Sequence, residues 1–166
     1  MTQDKNFERD GSSDALWADF QAADRKSEAA AHHPRNRDHL IGLVKDTLRD
    51  KFGQQPLVDD DGDCVLDHLG HKVWVRVLPD APLIVAFSRV AHGVYSRRAT
   101  EVELGILNRR SVVTKWTLVN RSIWLESAMI CTPFAPQHLS LLLDQFFSTM
   151  TSTRDDLAYR TGSEVA

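Results

Sequence analysis

The sequence predicts an α+β fold: an antiparallel sheet with helices mainly on one face, in the order α-βββ-α-ββ-α. Three observations predict it. Three segments repeat apolar residues at helical spacing, and between them lie segments that alternate apolar and polar residues as strands do. The strand-like segments fall in two groups, a set of three and a pair, whose internal connections are only a few residues long. Such short connections join antiparallel neighbours, and helices gathered on one side then cover the sheet.

Residues 1–35 are polar and mixed in charge, and read as a flexible tail or linker. Leu16, Trp17 and Phe20 form an apolar island within them. Leu16 and Phe20 stand four apart, so a short helix would set them on one side. A transient helix is the plainer reading and a docking motif the sharper one. The folded domain is expected over 36–162, with 163–166 as a C-terminal tail.

Asn36 or Asp38 can cap the first helix, whose apolar face is Leu40, Ile41, Val44, Leu48 and Phe52. Gly53 and Pro56 end it. Asp59-Asp60-Asp61-Gly62-Asp63 looks like a calcium loop, but the spacing fails. With Gly62 in the glycine place of an EF-hand, Leu57 and His68 would be the first and last ligands. A solvated turn is expected. Strands follow at Cys64–Leu69, Lys72–Leu78 and Leu83–Val90, separated by turns at Gly70-His71 and Pro79-Asp80-Ala81-Pro82.

The central unit runs from Thr100 to Ile130. Thr100 and Glu103 are spaced for a capping box at the start of a helix with Val102, Ile106 and Leu107 on one side. Val113–Val119 and Arg121–Ile130 are strands joined by the turn Asn120-Arg121. The second strand sets Ile123, Leu125 and Met129 against Trp124, Glu126 and Ala128. Pro136 opens the final helix, with Leu139, Leu142, Leu143, Phe146, Phe147, Met150 and Leu157 in one arc, Leu141 outside it and Gly162 at its end.

At 166 residues with 42% hydrophobic residues, the chain can build one real core. A net charge of −3 gives no case for nucleic acid or an anionic membrane surface. The chain has no long apolar run and its N-terminus has no signal-type stretch, and its two cysteines, Cys64 and Cys131, read as small hydrophobes. A reduced, cytoplasmic protein is expected.

The pattern Leu104-Gly105-Ile106-Leu107-Asn108, then Val113-Thr114-Lys115-Trp116-Thr117-Leu118, then Ile123-Trp124-Leu125-Glu126, resembles the YbjN-like branch of the type III secretion chaperone-like superfamily. The resemblance covers about Asp38 to Arg160. It implies an α+β domain, often dimeric, that binds peptide segments of other proteins. It brings no catalytic residues.

The residues themselves point the same way. Nucleophile, P-loop and dinucleotide motifs are absent, and His68 with His71 would need two further ligands for zinc. No enzyme, metal or cofactor is expected. Trp74 and Trp124 each oppose the valine or isoleucine set of their own strand, so one set must face away from the helix layer, and an exposed apolar face implies a partner. Candidate partner-binding residues are Trp74, Arg76, Leu78, Trp116 and Trp124, with Arg97 and Arg98 as forked donors for carboxylates. The reading is a non-enzymatic, homodimeric, peptide- or protein-binding chaperone-like domain. A structural or regulatory dimer module without a client is the second reading, and an enzyme with an unfamiliar site the third.

Overall fold

The structure, a computed structural model, describes residues 31–166. The island of Leu16, Trp17 and Phe20 lies outside the described residues. The elements in chain order are α1 (Arg37–Phe52), β1 (Leu57–Val58), β2 (Cys64–His68), β3 (His71–Val77), β4 (Leu83–His92), α2 (Arg97–Arg110), β5 (Thr114–Val119), β6 (Ser122–Ile130), α3 (Pro136–Thr161) and β7 (Glu164–Val165). The strands form one antiparallel sheet in the order β1-β2-β3-β4-β6-β5, with β7 against β4. The α-βββ-α-ββ-α order read from the sequence holds, with the short β1 and β7 added.

Strand parity divides the sheet. Val73, Val75, Val77, Ile84, Ala86, Ile123 and Leu125 are buried and form one core with the apolar faces of α1 and α3. α3 supplies the arc from Leu139 to Leu157, while Leu141 lies outside it and is exposed. Asn36 caps α1 by accepting from the His39 amide, and Gly53 closes it in the left-handed conformation that glycine adopts without strain.

Three local expectations change. α2 begins one turn before Thr100, because the Ser96 side chain accepts from the Ala99 amide. The Thr100 hydroxyl donates back to the Ser96 carbonyl, and Glu103 faces Arg160 at 3.5 Å, so no Thr100–Glu103 capping box forms. The inward side of α2 is also rotated from the expected one: Thr100 and Leu104 are buried and Leu107 packs against the core as expected, whereas Val102 is 60% exposed. The β2–β3 turn is Leu69-Gly70, both at positive φ, and His71 pairs with His68 as part of β3.

Both termini of the described chain join the fold. His32, in the segment read as a tail, exchanges two backbone hydrogen bonds with Phe134 (2.7 and 2.8 Å). Beyond Gly162, β7 pairs Glu164 and Val165 with His92 and Ala91, beside the end of β4 that β3 does not reach.

The outer edge of β5 is closed by a side chain. Asn108 near the end of α2 accepts from the Trp116 amide (2.7 Å) and donates to the Trp116 carbonyl (3.0 Å). A side-chain amide here does what a neighbouring strand would do, and it blunts an edge that would otherwise template association.

Candidate functional site

The helices leave the other face of the sheet without cover among the described residues. Register places its side chains in rows. Val65 pairs with Trp74, Trp74 with Phe87, Phe87 with Glu126, and Glu126 with Lys115. The next row runs Arg76, Val85, Ala128. On the other side, Arg89 opposes Trp124, and Trp124 opposes Thr117.

At the centre is an aromatic cluster. The Trp74 and Phe87 rings stack at 5.6 Å, and Trp124 lies 6.2 Å from Trp74 and 6.3 Å from Phe87. The three rings are half-buried by one another rather than by a helix. Such pairs are worth about 0.5–1.5 kcal/mol beyond area burial, so the cluster holds its shape without a partner. It presents a broad apolar platform, which is what an apolar peptide side chain packs against.

Arg76 borders the platform, 5.0 Å from the centre of the Phe87 ring. Its guanidinium donates to both carboxylate oxygens of Asp63 at 2.6–3.0 Å, and Asp63 is only 2% exposed. These hydrogen bonds hold the Arg76 pKa above its already high ordinary value, so the group stays charged. Lys72, Arg89 and Lys115 are exposed and form no ion pair among the described residues. Glu126 accepts from the Thr117 hydroxyl at 3.2 Å.

Of the residues read from sequence, Trp74, Arg76 and Trp124 come together here. Trp116 does not: it sits on the helix-covered face, 3% exposed, because its position in β5 has the parity of Leu125. Leu78 lies past the end of β3, in a surface depression with Pro34, Arg37 and Leu40. Arg97 pairs with Glu101 (2.9 Å) and borders a cavity at the β5–β6 turn, with Arg98 exposed beside it on α2. Phe87, Arg89 and Lys115 were not singled out in the sequence. The sequence marks Leu83–Val90 as a strand, but only the β3–β4 register sets Phe87 against Trp74.

Among the described residues the grouping that could hold a metal ion is Asp59, Asp61 and Asp63. Its buried member is already held by Arg76, and Asp59 accepts the amides of Asp61 and Asp63, as in a self-closed turn. His68 stacks on Phe147 at 4.2 Å, on the helix side. Cys64 and Cys131 are free and buried, and burial pushes the Cys131 thiol up to about 11. No helix among the described residues is long and apolar enough to cross a membrane.

Known proteins share this architecture. No curated protein matches the chain. Among solved structures, the ExsC–ExsE complex gives a TM-score of 0.61 at 12% identity, over 73% of this chain and 95% of that one. The HopA1–SchA chaperone–effector complex gives 0.58 at 11%, over 74% and 99%. YbjN from E. coli gives 0.54 at 13%, over 79% and 95%. At these identities the likeness is one of fold. The profile of one family, the type III secretion system (YopN, CesT) and YbjN peptide-binding chaperones 1, matches residues 38–166. That span includes every helix and strand described except the first residue of α1. The chain therefore belongs to this family of peptide-binding chaperones, which is not a family of enzymes.

Proposed function

We propose that the protein is a homodimeric chaperone-like domain that receives apolar segments of partner proteins on the open sheet face. One observation carries this reading: Trp74, Phe87 and Trp124 form a continuous aromatic platform that no element among the described residues covers. Apolar contact with the rings supplies affinity, and Arg76, Arg89, Lys72 and Lys115 around them set register and favour carboxylates. Homodimer formation uses a different surface, the outer side of α2, where Ala99 and Val102 are exposed and Ile106 is half-buried. Both cysteines are free, as a reducing cytoplasm leaves them.

The test uses an array of synthetic 15-residue peptides that vary systematically in apolar and acidic content. Peptides of apolar and acidic character are expected to bind the full-length protein and to lose most of that binding on Trp124→Ala, with circular dichroism unchanged. Binding that survives Trp124→Ala in a folded protein would place the site elsewhere. Light scattering is expected to give twice the 18.7 kDa chain mass. A dimer that binds no arrayed peptide would favour the second reading, a structural or regulatory dimer module.

A further inference from the structure

We infer that the open cavity at the β5–β6 turn is a binding site for a carboxylate attached to a small apolar body. The cavity has a volume of about 290 Å³ and is lined by Val94, Arg97, Leu118, Val119, Asn120 and Arg121. It shares no residue with the aromatic platform, so it stands apart from the reading of the open face as a peptide site.

Two guanidinium groups border this cavity, and each is held by one nitrogen. The Nε of Arg97 donates to Glu101 at 2.9 Å. The Nε of Arg121 donates to the Val94 carbonyl at 2.9 Å, and the Val94 amide donates back to the Arg121 carbonyl at 3.1 Å. The terminal nitrogens of both groups have no hydrogen-bond partner among the described residues. A guanidinium fixed at Nε presents its remaining donors as a planar fork, which matches the two oxygens of a carboxylate and loses little freedom on binding. The walls supply the other half of the site. Val94 is buried and Leu118 packs against the core, so the apolar lining is set by the fold. The volume is near the lower edge of the ~300–1,000 Å³ usual for small-molecule sites, which suits a short apolar body. Phosphate fits less well, because its third oxygen would meet these walls without a donor.

The placement of charge points to the same ligand. α2 opens with Arg97 and Arg98 and has no acidic residue in its first turn. The positive end of a helix disfavours cations, and Arg121 adds a third across the cavity. Arg97–Glu101 is the one ion pair that any of the three forms among the described residues. Arg121 also sits at φ 62°, in the left-handed conformation, where a two-residue hairpin turn prefers glycine. Local electrostatics and local backbone preference thus both oppose these arginines. Residues that break local rules mark functional positions, and a bound anion offsets the repulsion among these three.

The experiment records the arginine Nε–H resonances of the full-length protein, with those of Arg97 and Arg121 assigned by single Arg→Lys variants. The protein is titrated with 4-methylpentanoate, a free acid, and with acetyl-Ala-Ala-Leu, a peptide chain end bearing a similar branched body. Both are expected to move the two resonances saturably, whereas the C-terminal amide of the same peptide moves neither. The probe that saturates at lower concentration assigns the source as a free acid or a chain end. Arg97→Gln changes an exposed side chain and is expected to weaken binding about ten-fold. Val119→Glu changes an exposed residue of the cavity wall, sets a carboxylate of the protein's own there, and is expected to abolish binding. The absence of a saturable shift with either carboxylate overturns the inference. So does inorganic phosphate that moves the two resonances at equal or lower concentration, and so does binding left unchanged by both Arg97→Gln and Val119→Glu.

Discussion

Trp116 and Trp124 stand on paired strands, and the ladder sets Leu125 opposite the first and Thr117 opposite the second. The two tryptophans are thus one step out of phase. That step sends Trp116 under the helices to 3% exposure and leaves Trp124 on the open face. The same residue type becomes core filler in one place and open-face surface in the other, through nothing more than strand parity relative to the helix layer. The two faces differ in a second way. The covered face is closed by helices that the described chain supplies, whereas the rings of the open face are shielded by one another and by Arg76. In the function proposed here, the first face serves stability and the second contact with a partner.

The sharpest way to break this comparison is to truncate neighbours that point to opposite faces. Leu125→Ala empties a fully buried position and is expected to cost about 3 kcal/mol in urea unfolding. Trp124→Ala, one residue away, removes ring contacts worth about 1 kcal/mol, with most of its effect on peptide binding. Equal losses would mean that the open face is part of the folding core.

Next in size is the edge clamp. Asn108→Ala leaves the amide and carbonyl of Trp116 without their side-chain partner and is expected to cost about 2 kcal/mol. It should also promote association through the freed β5 edge, seen as larger particles in light scattering. A variant that is as stable and as monodisperse as the parent would mean that the clamp contributes little.

The smallest effect is a pH dependence on the covered face. His71 is 3% exposed, and its Nδ1 has no hydrogen-bond partner. Burial, then the positive charge of Arg154, pushes its pKa below the ordinary value, with the Arg89 backbone and Asp155 opposing more weakly. The folded state therefore resists protonation that the unfolded chain accepts. The resulting stability is fully present above about pH 6.5 and is lost as pH falls below it, by at most about 1.4 kcal/mol per pH unit. His71→Leu should flatten that slope in urea titrations at pH 5.5 and 7.5. An unchanged slope would assign it to other groups.

Much of this was legible from local physics. Asn36 and Gly53 bound α1, and Gly162 ends α3, because capping chemistry acts within a few residues. The division of β6 into Ile123 and Leu125 against Trp124 and Glu126 followed from period two alone. The resemblance carried by Leu104–Asn108 and the hairpin gained a physical meaning: Asn108 is the clamp on β5. Less legible was the start of α2, where Ser96 competed with Thr100 for the cap, two hydroxyl side chains that differ little in capping strength.

The sequence by itself determined which residues share a face within each strand and helix, since those periods are properties of the backbone. It did not determine which face of the sheet the helices cover, nor how one strand registers against the next. Those choices rest on contacts between residues far apart in the chain: Trp74 with Phe87 across the β3–β4 turn, and Arg76 with Asp63. Only the tertiary structure set Phe87 between the two tryptophans and sent Trp116 to the other side. The physical reason is that alternation fixes relative orientation along one strand, while register and layer are fixed by the free energy of packing the whole sheet against α1 and α3.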